Sequence, residues 1–328
     1  MKAIVYHADF PAKVALIELD SPQINSTNEC LVKLSHVALN RRDQWIREGL
    51  YPGIQDHVIL GSDGCGTVVE GPARWLNQKV IINPNIDWGN EAEVQSAAYQ
   101  ILGMPINGTL AEYIVVNQDR LQNKPAFLSE ASAAALPLAG LTAFRACFTK
   151  GQVAAGKKVL ITGIGGGVAQ FAAQFSVAVE AEVYVTSSQT DKITTASKYG
   201  VSGGFDYKEK DWVRKAALAG PFDTIIDSAG GTAVNDYLKL VKPGGKVVFY
   251  GSTTGSVPSL NMARLFWSQA QLIGSTMGND QEFEAMVSFV NHHQILPMID
   301  KVYALDDYIQ AFERFKSPDH QGKIVLAI

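Results

Sequence analysis

The sequence predicts an α/β protein: a compact β unit, then a parallel sheet with helices on both faces. Three observations predict it. Through roughly the first 120 residues, short Val- and Ile-rich runs are punctuated by Gly, Pro, Asn and Asp, the pattern of an all-β unit. From Lys157 onward, apolar runs alternate with helix-like segments, the pattern of a parallel sheet. Between them, "ITGIGGGVAQ" (Ile161–Gln170) sets four glycines in five positions, just after an apolar strand and just before a small-residue helix.

In chain order, "KAIVYHA", "AKVALIEL", "CLVKLSHVAL", "CGTVVEG", "QKVIINP" and "LAEYIVV" read as strands of the first unit. "LSEASAAALPLAGLTAFRACFTK" then turns Ala- and Leu-rich. Ser129 is a plausible N-cap there, and Pro137 interrupts the helical pattern. The alternating part follows: strand "KVLIT", helix "VAQFAAQFSVAV", strand "EVYVTSS" and helix "DKITTASKYG". After "WVRKAALAG" come strand "DTIIDSAG", helix "AVNDYLKLVKPG", strand "KVVFYGS", helix "NMARLFWSQA", strand "QLIGST" and helix "EFEAMVSFVNHH". The tail closes on one more strand, "KIVLAI".

Composition narrows the function classes. The 328 residues suit about two domains at ~150 residues each. Apolar residues are 47%, charged residues 18% and the net charge is −4, an ordinary globular balance. No dense Lys/Arg stripe marks a nucleic-acid partner. No apolar run reaches the ~18 residues of a membrane span. The charged N-terminal stretch does not read as a signal peptide. Cys30, Cys65 and Cys147 are widely spaced with no CxxC, so no disulfide framework is expected and the cytoplasm is the expected compartment.

The glycine stretch has a mechanism in this setting. Pyrophosphate binds where backbone N–H groups at a helix N-terminus point outward, and a Cβ there would hold it off. The strict G-x-G-x-x-G pattern fails, because Val168 stands at its last position. G-x-x-G-x-x-A fits, with Gly163, Gly166 and Ala169. An NAD site usually carries an acid about 20 residues past the glycines, at the next strand end. Here Ser187 and Ser188 stand there, and Lys192 follows. Two hydroxyls and an ammonium suit the 2′-phosphate of NADPH, which an acid would repel.

With these residues in view, the chain resembles the medium-chain dehydrogenase/reductase superfamily, and within it the zinc-free quinone oxidoreductase branch. "NRRDQWIREGLYP" (Asn40–Pro52) is similar to the branch's N-x-x-D-x-x-x-R-x-G-x-Y-P segment. "LGSDGCGTVVEG", "AAALPLAGLTAFRA", "VLITGIGGGVAQFAAQ", "DYKEKDW", "IIDSAGG", "LVKPGGKVVFYG" and the closing "GKIVL" follow in family order. The likeness spans nearly the whole chain, with Ala169 where a glycine is more usual. It implies a GroES-like β domain over 1–122, completed by 294–328, and a Rossmann domain over 123–293 with the nicotinamide in the cleft. It also implies cofactor contacts from Thr142, Gly167, Val168, Tyr207, Ser228, Gly251 and Ser252, beside the residues named above.

The same resemblance implies that no metal is bound. Zinc-dependent relatives place a Cys where this chain has Asn40 and a His where it has Ser62, and the four-Cys structural lobe is missing. Asn and Ser are poor zinc ligands beside thiolate and imidazole. Without a Lewis acid, alcohol oxidation loses its usual stabilisation. Hydride transfer from NADPH to a quinone or an α,β-unsaturated carbonyl needs only a hydrogen-bond donor for the developing oxyanion. Asn40 is the first candidate donor, Tyr51 the second, and Asp43 a candidate for orienting their loop. The expected partner is a small-molecule substrate, and the family's edge strand, here Gln271–Met277, implies a homodimer. Two other readings stay open: an NADPH-binding structural or regulatory protein with little turnover, and an alcohol dehydrogenase-like enzyme.

Overall fold

In the computed structural model, which describes residues 1–328, the strand Glu29–Ala38 is the hub of the first sheet. Its inward positions alternate with outward ones, the period of two that a half-buried strand requires. It pairs antiparallel with Asp63–Glu70, Tyr113–Asn117 and the terminal strand Lys323–Ala327. The sheet runs Leu121–Asn123, Lys79–Ile82, Asp63–Glu70, Glu29–Ala38, Lys323–Ala327, Ile299–Ala304, with Tyr113–Asn117 attached to the hub. Ile4, Val32, Leu34, Leu60, Val80, Ile82, Phe312 and Leu326 fill the core of this unit. Pairing of Val325 with Ala38 sets the register that carries the chain's last residues to the loop after Ala38.

The second sheet has six parallel strands in the order 203–206, 182–187, 158–161, 222–227, 241–249, 271–274. Val159, Leu160 and Ile161 of the central strand are wholly buried, as expected of a strand covered on both faces. The strand order reverses between 158–161 and 222–227. In open α/β sheets ligands bind at such a switch point, beyond the carboxyl ends of the strands. The GroES-like plus Rossmann α/β architecture expected from the sequence is the one observed.

By packing, the units are Met1–Ala139 with Asn279–Ile328, and Gly140–Gly278. The division differs from the expected 1–122 with 294–328 and 123–293, for identifiable reasons. The helix Asp280–His293 is tied to the first unit by Arg120, whose guanidinium meets both Asp280 oxygens at 2.7 and 2.6 Å, and by Asn83 at 2.8 Å. The stretch after residue 123 is held by Lys79–Glu130 (2.7 Å) and by Leu138 N–H on Asp63 (2.7 Å).

Several elements also differ from the sequence reading. The helix in "AVNDYLKLVKPG" ends at Leu240, because Pro243 and Gly244 cannot continue it, and the next strand starts at Val241. The tail holds a strand, Ile299–Ala304, and a helix, Tyr308–Lys316, that were not read. The helix buries Ala311, Phe312 and Phe315, a spacing visible in the sequence. The edge strand is shorter than Gln271–Met277: it spans Gln271–Gly274, and Met277 is buried beyond it. No helix is long and apolar enough to cross a membrane.

Candidate active site

In the first unit, Asn40 is the N-cap of the helix Arg41–Arg47 and is buried. Its backbone N–H donates to Asp43 Oδ2 at 2.7 Å and its backbone carbonyl accepts the Asp43 N–H at 3.0 Å, so the two residues brace the helix start. Asp43 Oδ1 also accepts the Gly61 N–H at 3.3 Å. Burial pushes the Asp43 carboxyl above the usual range, against the pull of the Arg42 guanidinium and the Asn40 N–H. Asp43 thus accepts backbone N–H groups from two segments, at Asn40 and at Gly61.

The Asn40 side chain joins a charged network. Its Nδ2 donates to Asp63 Oδ2 at 2.9 Å, and its Oδ1 accepts from Lys323 Nζ at 2.6 Å. Lys323 Nζ also meets Asp63 Oδ2 at 2.8 Å and the Leu39 carbonyl at 2.8 Å. The other Asp63 oxygen accepts the Leu138 N–H. Lys323 and Asp63 side chains are 3% and 0% exposed, so their ion pair is essentially dry. Removing one member of such a pair typically costs about 3–5 kcal/mol, because the other is left charged and buried.

Tyr51 is brought to the same cluster through Arg42. The guanidinium lies 4.9 Å from the Tyr51 ring centroid, and its Nε is 3.4 Å from the phenol oxygen. The Arg42 Nη atoms donate to Ser62 Oγ (2.7 Å), the Leu102 carbonyl (2.6 Å) and the Met104 carbonyl (3.0 Å). Ser62 Oγ itself donates to Leu102 at 2.7 Å. Asn40, Tyr51 and Asp43 thus share one region, built by Arg42, Asp63 and Lys323.

In the second unit, the glycine turn leaves the central strand after Ile161. Gly163 has φ +63°, a conformation that favours glycine, and a Cβ there would meet no atom within 4 Å. Gly166 is the N-cap of the helix Gly167–Ala178, and a Cβ on it would meet only the Gly163 carbonyl at 3.6 Å. The turn therefore has open space in front of unpaired N–H groups at a helix start, with Gly167 and Val168 in its first turn. That is a fit for a pyrophosphate. Ala169 is fully buried against the sheet, so its methyl group replaces the usual glycine without touching this space.

Most of the other expected cofactor residues lie at or just beyond the ends of parallel strands, whereas Thr142 lies on the helix Pro137–Phe144. Ser187 ends the strand Glu182–Ser187, and its Oγ accepts the Gln189 N–H at 3.0 Å; Ser188 follows it. Lys192, on the helix Thr190–Ser197, is buried with its Nζ 2.9 Å from where a Gly165 Cβ would lie, so the ammonium runs alongside the glycine turn. Tyr207 is 48% exposed, with its N–H on the Ser187 carbonyl at 3.1 Å. Ser228 and the Gly251–Ser252 pair follow neighbouring strands, and a Cβ on Gly251 would lie 3.0 Å from the Ser228 carbonyl. Thr142 is buried with its Oγ1 3.8 Å from Met277 Sδ. One feature beneath this edge was not read. Buried Asp227 accepts from Thr162 Oγ1, from Tyr237 Oη (2.8 Å) and from the Gly230 N–H (2.7 Å), which fixes two of the turns to each other.

Comparison with known proteins gives the same two parts. Residues 26–126 match the alcohol dehydrogenase GroES-like domain, and residues 167–292 match the zinc-binding dehydrogenase family. The zinc-type alcohol dehydrogenase-like protein YogA of Leptosphaeria maculans is 35% identical over 344 residues, covering 97% of this chain and 95% of that protein. This chain belongs to the medium-chain dehydrogenase/reductase superfamily. The mitochondrial NAD(P)H oxidoreductase RTN4IP1 of Bos taurus is 29% identical, covering 94% of this chain and 83% of that protein. A crystal structure of an NAD-dependent alcohol dehydrogenase superposes with a TM-score of 0.94 at 29% identity, covering both chains completely.

Membership in this superfamily makes zinc the group to test against the residues present. The donors are a poor fit. The two aligned positions hold an amide and a hydroxyl, and each is bonded to a fixed cation: Asn40 Oδ1 to Lys323 and Ser62 Oγ to Arg42. A dication placed on either oxygen would have to share it with a cationic nitrogen 2.6 or 2.7 Å from that oxygen. No group of three or more His, Cys, Asp or Glu is arranged to hold a metal ion. Sequence reasoning named Asn40 and Ser62 but missed Arg42, Asp63 and Lys323. The signal for Asp63 and Lys323 was a charged residue within an apolar strand context, in "LGSDG" and in "GKIVLAI"; Arg42, in the charged stretch "NRRD", carried none.

Proposed function

We propose that this medium-chain dehydrogenase/reductase transfers hydride from NADPH to a quinone or an α,β-unsaturated carbonyl without zinc. The observation that carries the reading is the Asn40–Asp63–Lys323 network. At a position where zinc-dependent relatives bind metal, it presents an amide with one Nδ2–H bonded to Asp63 and the other without a partner in the chain. An acceptor that takes hydride at carbon builds charge on its oxygen, and a fixed N–H donor is suited to meet that charge. Binding of NADPH is supported by the open glycine turn and by the Lys192 ammonium beside it. Tyr51 is the second donor candidate, held beside the Arg42 guanidinium.

The deciding experiment is a turnover screen of quinones, enones, alkenals, ketones and alcohols with both nicotinamides. Quinones and enones should exceed simple ketones, and primary alcohols should not be oxidised at useful rates. Activity should survive a strong chelator, and elemental analysis should find zinc well below one equivalent per chain. Oxidation of alcohols that outpaces enone reduction would return the protein to the alcohol dehydrogenase reading suggested by its relatives' names. The pairing already present at Asn40 favours one other reading, an NADPH-binding protein with little turnover. Tight NADPH binding with no oxidation across the whole panel would select it.

Assembly belongs to the same proposal. The strand Gln271–Gly274 is an exposed sheet edge, and the preceding helix Met262–Ser268 shows Phe266 and Trp267 to solvent, Trp267 being 79% exposed. A bare edge flanked by apolar side chains suits pairing with its own copy about a two-fold axis. Light scattering at micromolar concentration should report a dimer, and a monomer would remove this part of the proposal.

A further inference from the structure

Lys323 opens the last strand, 283 residues from Asn40 in sequence, and its ammonium is buried against three acceptors: Asn40 Oδ1, Asp63 Oδ2 and the Leu39 carbonyl. An ammonium has three protons and no acceptor capacity, so none is left for a substrate. Any effect it has on the reaction runs through Asn40. An ammonium can face only the amide oxygen, and a carboxylate can face only the amide nitrogen. With both present, the Asn40 amide has one orientation, and one Nδ2–H is left over.

We propose that Lys323 is a positioning residue for hydride transfer: it locks the Asn40 amide so that the free Nδ2–H faces the acceptor oxygen, and it strengthens that donor. The proposal rests on Asn40 being the donor of the reading above. The strengthening follows from polarisation, since a charge donating to the amide oxygen draws electron density from the nitrogen. The locking depends on the ammonium because it is the donor that holds Asn40 Oδ1. Without Lys323, the bond from Nδ2 to Asp63 is left to fix the amide by itself. One bond does not fix the amide plane, so the remaining Nδ2–H is no longer held toward the acceptor. The chain thereby carries a tethered cation next to the position that holds a metal in zinc-dependent relatives.

The test uses the full-length protein with a quinone acceptor and reads kcat, NADPH affinity by fluorescence, and chemical rescue. Lys323→Ala should lower kcat by about tenfold or more while NADPH affinity stays within about twofold, because the lost interaction belongs to the transition state. Adding n-propylammonium chloride, which replaces the missing side chain, should restore kcat saturably. Neither 1-propanol nor tetramethylammonium chloride should do so, since one lacks charge and the other lacks N–H. If Lys323→Ala does not fold, the Lys323→Met/Asp63→Asn double variant removes both buried charges and keeps an acceptor for the Leu138 N–H. Its kcat should still be low, because an amide at position 63 can bond either face of Asn40. Near-normal kcat in the double variant or in Lys323→Ala overturns the proposal. So does a fall in kcat and NADPH affinity together with no rescue by propylammonium, which is the mark of a purely structural lysine. Asn40→Ala separates the layers: if it lowers kcat and the Lys323 variants do not, only Lys323 is misassigned. If Asn40→Ala leaves kcat unchanged, the donor reading itself fails and Lys323 with it.

Discussion

Around Asn40 nearly every polar atom already has a partner within the chain, whereas around Gly163 and Gly166 the backbone faces open space. The first region is a finished network of buried charges, and only one amide proton is left over. The second is a strand end and a helix start: the Gly163 and Gly166 N–H groups are bonded at the turn, and a Cβ on Gly163 would meet nothing within 4 Å. The difference separates two kinds of work. A site that must hold a large anion is built by leaving atoms out, and its specificity lies in backbone shape. A site that must stabilise charge as it develops on one oxygen is built by fixing donors in place beforehand.

The largest effect should follow from filling the open region. Gly163→Val places a branched side chain at φ +63° and into the space ahead of the turn. The backbone strain should lower stability by about 1–3 kcal/mol. NADPH affinity should fall by about a hundredfold or more, near 2.7 kcal/mol. Calorimetry and fluorescence titration measure the two separately. Affinity within a few-fold of wild type would mean that the pyrophosphate does not lie against this turn.

The next effect tests the filled region. Asn40→Ala should lower kcat by about 1–3 kcal/mol, somewhat less than typical oxyanion-hole losses because Asn40 is a single side-chain donor. NADPH affinity should stay almost unchanged. A loss that appeared in KM alone would assign Asn40 to ground-state binding instead.

The two regions were unequally legible in the sequence, for the same reason that they differ in function. The glycine turn is local. Gly163, Gly166 and the helix start lie within a few residues, so spacing alone identifies them. The lack of an acid at the strand end itself, with Asp191 only in the next helix's first turn, and the approach of Lys192 to Gly165 both belong to one β/α unit. The Asn40 network is assembled from residues 40, 63 and 323 by the antiparallel pairing of Glu29–Ala38 with Asp63–Glu70 and Lys323–Ala327. No local period encodes that meeting. Asn40 was found only because it stands at an aligned position, and its partners were not found. The same limit explains the unit boundary: Asp280 belongs to the first unit because Arg120, 160 residues earlier, reaches it.

A smaller effect refines what the open region selects. NADPH should bind about tenfold more tightly than NADH, or 1.4 kcal/mol. The residues responsible would be Ser187, Ser188 and Lys192. Lys192→Ala should remove most of that difference by weakening NADPH and leaving NADH nearly unchanged. Equal affinities in the wild type would break the assignment. Equal losses for both cofactors in the variant would give Lys192 a role in shaping the turn, through its contact with Gly165, rather than in reading the 2′-phosphate.

The smallest expected effect is a null one, and it asks whether the two units are equally closed. Cys65 lies in the first unit's sheet, and Cys147 lies in the second unit, its Sγ 3.8 Å from Ser176 Oγ. Burial pushes both thiols up to about 12, and it raises Cys30 as well. A thiol with that pKa is thiolate to only about one part in ten thousand at pH 8, four units below, and the thiolate is the reactive form. Thiol reagents should therefore label none of the three cysteines in the native protein over hours, and all three in denaturant. Mass spectrometry of the labelled peptides would show which cysteine reacts. Labelling through rare local opening would follow the free energy of that opening. Rapid native labelling of Cys65 with Cys147 untouched would mean that the sheet beside the Asn40 network opens more readily than the sheet behind the glycine turn. A dry Lys323–Asp63 pair could not then stay intact, and the contrast between a closed network and an open cradle would fail on its first side.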